Sequence, residues 1–282
     1  MGLKINTNTD ALNIHNQLVK TNTALGKSLQ RLSSGFRINS AKDDASGFAV
    51  ANMFKAKISS MKVAYQNASE ANTMLQVADG AYNKVYDTLV RMKDLATQAA
   101  SGQTENRDKL DEEFKELQKE IDRIAQSTTY STKNSASLQL INGSSDIQNG
   151  ITFMVGSTND AQNKIAITFS AACTTALGVS STAVSLGTVA SAEAAMTALD
   201  TALNSINSYM GKIGSYQNRL EITMENLSVG IENFTASESA IRDVDMASEV
   251  TAFTKSQILQ QSGMAMLAQA NSAPQQILSL LQ

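Results

Sequence analysis

The chain has 282 residues, a formal net charge of −3, no Trp and a single cysteine, Cys173. The weak negative charge gives no overall basic field for nucleic acid, and one cysteine excludes an intramolecular disulfide framework and a multi-cysteine metal site. No stretch reaches the roughly 18 consecutive apolar residues of a membrane span, so we expect neither nucleic acid nor a membrane as a partner.

The first predicted element is an amphipathic helix. Its apolar residues recur at three- and four-residue spacing, as on one face of an α-helix. They are Ala11, Ile14, Leu18, Leu25, Leu29, Leu32 and Phe36. Gly35 is expected to end this helix, because glycine readily adopts the left-handed cap conformation. Residues 37–47 form a polar connector, in which Asp43 or Asp44 is expected to cap the next helix.

Two long heptad seams follow, one on each side of the middle of the chain. The first covers residues 61–99 without a break, and the second covers residues 196–241, where only Gln217 and Glu238 break the apolar run. A strict 3-4 repeat keeps one stripe facing a partner helix in a left-handed coiled coil. At ~1.5 Å per residue each helix would be about 60–70 Å long. Such length indicates a structural role rather than a catalytic one.

The segments between and after the seams change in character. Residues 151–155 and 165–169 are short β-branched and aromatic runs around a turn sequence, so they predict a β-hairpin. Residues 170–191 are small, polar and uncharged, which favours a surface loop or cap. A last helix is predicted to end at Leu281, and no charged residue follows Lys255 in it.

Together these elements predict a mainly α fold. We expect a long antiparallel coiled-coil-like helical rod from both chain ends, with a small β-hairpin region in the middle. The terminal apolar residues are too few to form a core alone and too apolar to leave in water. Self-association is therefore expected to bury them.

The sequence contains no recognisable catalytic constellation. Its one histidine, His15, lies in an amphipathic stretch with polar flanks, as a solvated or interface histidine would. The adjacent carboxylates at 43–44 and 112–113 are interpreted as helix-start and solvated-face residues. There is no His-Glu-x-x-His, no phosphate-binding Gly-rich loop followed by Lys, and no Gly-x-Ser-x-Gly. We therefore predict no enzymatic activity, no cofactor and no metal site.

Motifs at both chain ends resemble those of bacterial flagellin, in a short form that lacks outer domains. The motifs are LQRLSSGFRINSAKDDASG at residues 29–47, SQILQQSG at 256–263, LAQAN at 267–271 and LSLLQ at 278–282. The resemblance covers roughly residues 1–170 and 192–282. It implies a structural subunit that polymerises into the helical flagellar filament used for swimming motility. A hook–filament junction protein is the alternative.

The resemblance also implies how the chain is divided. The three parts are an inner tube of paired terminal helices (1–43 and 237–282), an outer-tube helical rod (44–169 and 192–236, with the hairpin at about 150–169) and a short variable loop replacing outer domains (170–191). The residues expected to carry inner-tube assembly are Leu25, Leu29, Leu32, Ile258, Leu267, Leu278 and Leu281. Glycans on the Ser and Thr residues of the loop stay an open alternative in this family.

The partners implied by the resemblance are mostly other flagellar proteins. They are further copies of the chain in a helical homopolymer, an export chaperone at the C-terminal helix, and the filament cap and hook-junction proteins. The implied location is the extracellular flagellum. The resemblance implies passage through the flagellar type III export apparatus without a cleaved signal peptide, which agrees with the absence of an apolar signal segment near the N-terminus.

One implied partner is not bacterial, namely the animal Toll-like receptor that senses flagellins. Arg91 and Leu95 match the contact residues of the family, and Glu113 matches its acidic contact. Val90 departs from the pattern, because strongly recognised flagellins carry Gln at this position. An ordinary solvated helix face is the alternative interpretation of Arg91.

Overall fold

The structure, a computed structural model, describes residues 8–101, 106–131, 137–143 and 150–280, with the backbone alone for residues 131, 137 and 273–280. Five α-helices dominate these residues. They are α1 (Thr9–Ser34), α2 (Ala45–Ala100), α3 (Arg107–Ser127), α4 (Val189–Arg242) and α5 (Met246–Leu280). The predicted mainly α fold class is confirmed. No helix in the described ranges is both long and apolar enough to cross a membrane.

Two small antiparallel sheets lie between α3 and α4 in the chain. Their strands are β1 (Thr129–Ser131) paired with β2 (Ser137–Gln139), and β3 (Ile151–Met154) paired with β4 (Lys164–Ile167). The register of the second sheet places Ile151 opposite Ile167. The predicted β-hairpin is thus confirmed. The β1–β2 pair has no counterpart in the sequence-based prediction, because three residues are too few to establish an alternating pattern.

The chain divides into two compact units, which we describe separately. The terminal unit comprises the described residues of 1–58 and 233–282, and the central unit comprises those of 59–232. Helices α2 and α4 each contribute residues to both units. The division into inner and outer tubes stays a prediction, because it concerns the assembled polymer.

The core of the central unit is built on the first heptad seam. Every residue of this seam is buried, as its spacing predicts. The residues are Met61, Ala64, Ala68, Ala71, Leu75, Ala78, Tyr82, Val85, Leu89, Met92, Ala96 and Ala99. Half of them are alanine, and such small residues let neighbouring backbones approach closely. Helix α3 adds Phe114 and Ile121 to the same core, and β4 adds Ile167.

The second heptad seam supplies the contribution of α4 to this core. Its buried residues recur every seven positions: Leu199, Ile206, Ile213, Leu220 and Leu227. The ring of Tyr82 on α2 lies 5.9 Å from that of Tyr209 on α4, and Lys93 on α2 forms an ion pair with Asp200 on α4. Since residue numbers rise along one helix as they fall along the other, α2 and α4 run antiparallel in the central unit.

The terminal unit buries far less. Helices α1 and α5 run antiparallel, because the Asn8 side chain donates to the carbonyl of Ala270 (2.9 Å) and that of Gln260 donates to Asn22 (2.9 Å). Among the described side chains of these two helices, the buried ones are all polar: Thr21, Ser28 and Glu249. Two helices alone therefore leave their apolar side chains only partly covered.

Candidate assembly surface

Helix α1 presents apolar residues on two sides. Leu18, Leu25 and Leu32 are half-buried on the side that also carries Thr21. This side faces α5, since a Cβ placed on Gly263 would lie only 2.9 Å from Cδ1 of Leu18. The remaining surface of α1 carries apolar residues that are 51–61% exposed, namely Leu12, Val19 and Leu29.

Helix α5 is apolar on more than one side as well. Leu267 is half-buried and lies one turn beyond Gly263, on the side that faces α1. Successive residues are about 100° apart around an α-helix, so Met264 and Met266 lie on opposite flanks of that side. The apolar residues of α5 that are 47–60% exposed are Met246, Val250, Ile258, Leu259, Met264 and Met266.

The surface around these residues carries little charge. No Asp, Glu, Lys or Arg follows Lys255, so the second half of α5 offers water only amide and hydroxyl groups. Burying such a surface against another protein avoids the large free-energy cost of removing a charged group from water. A helix that is apolar on all sides is normally buried, and the described part of α5, which is apolar on more than one side, faces α1 with one of them.

The residues predicted to carry assembly lie in two kinds of position. Leu25, Leu32 and Leu267 pack between α1 and α5, whereas Leu29 and Ile258 are exposed. The side chain of Leu278 and the whole of Leu281 lie outside the described part of the chain. Heptad spacing missed the exposed residues Leu12, Val19, Met264 and Met266. Such residues lie off the repeating stripe, and for Met264 and Met266 only the absence of charge after Lys255 indicates them.

A short backbone clasp joins the end of α1 to the break between α4 and α5. Gly35, with φ of 76°, caps α1 as predicted and turns the chain into the clasp. Phe36 and Asp243 form an antiparallel bridge. The N–H of Arg37 donates to the carbonyl of Arg242 (2.7 Å). Backbone hydrogen bonds therefore hold the end of α1 to the junction between α4 and α5.

Two arginine side chains reinforce the clasp. The guanidinium of Arg37 donates to the carbonyl of Ile241 (2.6 Å), where the last carbonyls of α4 lack helical partners. The guanidinium of Arg242 lies 4.3 Å from the ring centroid of Phe36, a geometry in which a cation is attracted to the ring. Positive charge is thus placed at the negative end of the α4 dipole.

Two adjacent aspartates organise the connector that follows. Asp44 is the predicted cap of α2, since its Oδ1 accepts hydrogen bonds from the N–H groups of Ser46 (3.1 Å) and Gly47 (3.0 Å). Asp43 instead lies 3.1 Å from Nζ of Lys27 on α1. The hydrogen bond from Lys27 holds the pKa of Asp43 below its ordinary value, and backbone hydrogen bonds within the connector act in the same direction.

The predicted receptor residues occupy different environments. Nε and Nη2 of Arg91 both donate to Oε1 of Glu113, at 3.1 and 2.7 Å, and both side chains are exposed. Leu95 is buried in the core of the central unit. The structure therefore brings Arg91 and Glu113 together on one surface of α2 and α3 and places Leu95 beneath that surface. Val90, which precedes Arg91 in the sequence, is exposed.

The uncharged segment between β4 and α4 packs against the central unit. We call residues 172–186 the strap. Its buried residues are Ala172, Thr174, Leu177, Val179, Val184 and Leu186. Overall polarity favours a surface loop or cap, and the irregular spacing of these buried residues gives no periodic pattern in the sequence that indicates their burial.

Polar side chains on one face of α3 hold the strap. The three contacts are Asp111 with the Leu186 N–H (2.7 Å), Gln118 with the Val179 carbonyl (2.8 Å) and Asp122 with the Thr174 N–H (2.9 Å). Burial raises the pKa of Asp111, but the hydrogen bond from Leu186 and the ammonium of Lys115 outweigh burial. The pKa of Asp111 therefore lies below its ordinary value.

Comparison with protein families gives matches at both ends of the chain. The model of the bacterial flagellin N-terminal helical region matches residues 5–137. The model of the bacterial flagellin C-terminal helical region matches residues 196–281. The strap lies between the two matched regions.

Individual relatives match over nearly the whole chain. Flagellin FlaB1 of Treponema pallidum (strain Nichols) is 37% identical over 283 residues, which cover 98% of this chain and 99% of the relative. The flagellar filament 33 kDa core protein of Treponema phagedenis is 38% identical over 286 residues, with coverage of 98% and 99%. Flagellin of Bacillus subtilis (strain 168) is 34% identical over 310 residues, with coverage of 99% and 100%.

Proposed function

Because the chain belongs to the bacterial flagellin family, we propose that its terminal unit holds neighbouring subunits together in a helical homopolymer. Flagellins are structural proteins of the extracellular flagellar filament, and this chain is a structural subunit of such a filament. The proposal concerns which residues make the contacts between subunits and how the subunit reaches the filament.

The uncovered apolar surface of α1 and α5 is the observation that carries this proposal. Full burial of a Leu, Ile or Met side chain is worth about 1.5–3 kcal/mol. A residue that is half exposed retains roughly half of that gain for a contact with another chain. Several such residues occur on each helix, on more than one side. A further copy on each flank would bury them.

In the proposed arrangement, residues 1–43 and 237–282 form the inner tube, and residues 44–169 and 192–236 form the outer tube. Leu25, Leu32 and Leu267 hold α1 to α5 within one subunit. Leu29 and Ile258 contact neighbours, and Leu278 and Leu281 take part in the same assembly. The 170–191 segment takes the place of outer domains, which agrees with the short strap that closes against α3.

The C-terminal helix also suits the proposed route to the filament. We propose passage through the flagellar type III export apparatus, with an export chaperone covering the uncharged apolar surface of α5 in a helix-in-groove manner before assembly. The same surface would meet the filament cap and the hook-junction proteins at the two ends of the polymer. The absence of charged residues beyond Lys255 supports a partner with an apolar groove.

A secondary role as a ligand of the flagellin-sensing Toll-like receptor is proposed for the surface around Arg91. The ion pair with Glu113 is exposed, and an exposed ion pair contributes only about 0–1 kcal/mol. Both charged groups are therefore available to a partner that offers opposite charges. Leu95 would act by supporting this surface from the core.

The alternative function is that of a hook–filament junction protein, which also assembles through terminal helices. Near-complete coverage of relatives that are named flagellin or filament core protein favours the filament subunit.

Seeded polymerisation tests the proposal. Filament fragments are mixed either with the full chain or with a chain that ends at Asp245 and so lacks α5, and growth is followed by electron microscopy. We expect long filaments from the full chain and none from the truncated one. Near-ultraviolet circular dichroism, to which the buried Tyr82 and the half-buried Tyr209 contribute, checks that the central unit of the truncated chain is folded.

Growth of the truncated chain would show that α5 does not hold subunits together. Failure of the full chain to elongate the seeds would favour the junction protein instead.

A further inference from the structure

The methionines of this chain are divided unequally between the two units. Among the described side chains, the exposed methionines all belong to the terminal unit: Met53, Met246, Met264 and Met266. The methionines of the central unit are buried or half-buried. They are Met61, Met74, Met92, Met154, Met196, Met210 and Met224. An oxidant in water therefore reaches the terminal unit first.

We propose that the three exposed methionines of α5, Met246, Met264 and Met266, are oxidation sites through which a peroxide prevents the free subunit from joining the filament. This inference rests on the proposed function, because it requires that the surface of α5 be covered by neighbouring subunits. It adds a modification site, a class of reagent and a way in which assembly is regulated.

The reaction is a two-electron oxygen transfer to sulfur. A lone pair of the thioether attacks one oxygen of hydrogen peroxide, an S–O bond forms as the O–O bond breaks, and the proton of the transferred oxygen moves to the second oxygen, which leaves as water. The methionine is oxidised to the sulfoxide and the peroxide is reduced. Methionine sulfoxide reductases reverse the change, so the block is reversible.

The position of the methionines makes this change effective. Met264 and Met266 lie on opposite flanks of α5, and Met246 begins the same helix. Oxidation converts each flexible apolar side chain into a polar one, which disrupts contacts that depend on methionine. A sulfoxide oxygen buried between uncharged helices would also need a hydrogen-bond donor that apolar neighbours do not supply.

Assembly should protect the same residues. Once a neighbour covers both flanks of α5, peroxide can no longer reach Met264 or Met266, so an existing filament keeps them reduced. The free subunit and the filament thus differ in sensitivity to the same reagent. This difference separates the proposal from general oxidative damage, which would not depend on the assembly state.

The test compares treated and untreated protein in seeded elongation. Purified full-length chain is exposed to hydrogen peroxide, the peroxide is removed, and growth on untreated seeds is measured beside peptide mass spectrometry of each methionine. We expect the treated chain to elongate about tenfold more slowly or worse, a difference of about 1.4 kcal/mol or more. Preformed filaments given the same dose should show little sulfoxide at Met264 and Met266.

Two matched variants assign the effect to position. The first carries M246L, M264L and M266L, and the control carries M196L, M210L and M224L. Leucine and methionine exchange with little change in volume. Each variant is judged by the ratio of its treated to its untreated rate. We expect this ratio to be near one for the first variant. For the control we expect the elongation rate to fall as much on treatment as it does for the unmodified chain.

The proposal is overturned if the first variant loses as much as the control, or if filaments and free chain are oxidised equally at these residues. Failure of untreated chain to elongate seeds is a different result, because it would overturn the proposed function itself. Recovery of growth after treatment with methionine sulfoxide reductases would support the reversible block.

Discussion

Ile258 and Leu199 are both aliphatic residues on long helices, yet we expect opposite consequences from replacing them. Ile258 is 60% exposed on α5, and Leu199 is fully buried on α4. Replacing Ile258 by Ser should leave the free energy of unfolding of the free subunit within about 0.5 kcal/mol. Replacing Leu199 by Ala should lower it by about 2–5 kcal/mol, because a cavity forms in the core.

Urea unfolding and seeded elongation together check this pair. The Ile258→Ser chain should unfold normally but elongate seeds about tenfold more slowly, since each tenfold corresponds to about 1.4 kcal/mol of lost contact. A normal elongation rate for Ile258→Ser would remove this residue from the proposed contact between subunits.

Arg91 supports a second prediction for a single residue. Replacing Arg91 by Ala should reduce receptor signalling in a reporter cell about tenfold or more, while the stability of the subunit changes by less than about 1 kcal/mol. Arg123 provides the control, because it forms a similarly exposed ion pair with Glu120 on α3. Equal signalling by the Arg91→Ala and Arg123→Ala chains would contradict a receptor contact at Arg91.

At the scale of single elements, periodic burial was the feature most accessible to prediction. The seam of residues 61–99 is buried throughout, because a 3-4 repeat of small and apolar residues forms a stripe that packs against a neighbouring helix. Cap residues followed equally local rules, as Gly35 and Asp44 show. The β3–β4 hairpin was predictable for the same reason, since its two runs have strand composition around a turn.

The elements that escaped prediction depend on contacts between distant segments. The strap is held by α3 side chains that are about 50–75 residues away in sequence, and no local pattern reveals such pairs. The bridge between Phe36 and Asp243 likewise connects two segments that are far apart in the sequence. Which apolar residues of α5 stay exposed also depends on a partner helix, so spacing alone could not identify them.

Asp111 makes the attachment of the strap sensitive to acid. Its pKa is lowered in the folded chain, so its contribution to stability is present above the ordinary carboxyl pKa of about 3.9 and is lost as the pH falls through the lower folded value. We expect the free energy of unfolding of the wild-type chain to fall as the pH drops below about 4.

The Asp111→Asn chain keeps an oxygen that accepts the Leu186 N–H but does not titrate, so its free energy of unfolding should depend less on pH in this range. Urea unfolding at several pH values measures the difference. Glu112→Gln, which removes a carboxylate from the exposed side of the same helix turn, is the control. Identical profiles for all three chains would show that Asp111 does not couple protonation to folding.

At the scale of the whole molecule, the two units differ in how much of their apolar surface they bury within one subunit. The central unit buries the first heptad seam, every second residue of the other seam from Leu199 to Leu227, and apolar residues of α3 and the strap. In α1 and α5 the buried side chains that the structure describes are polar, and large apolar residues remain half exposed. Segments that cannot bury enough apolar surface gain order by binding. We therefore expect the terminal unit to be stabilised mainly by neighbouring subunits, and the central unit by its own core.

Hydrogen exchange of backbone amides in free subunits and in filaments tests this account most directly, because it reports local opening helix by helix. The account predicts that amides in α1 and α5 exchange much more slowly in the filament, whereas those of residues 199–227 on α4 exchange slowly in both states. Equal exchange of α1 and α5 in the two states, or new protection confined to the central unit, would contradict the claim that neighbouring subunits complete the terminal unit.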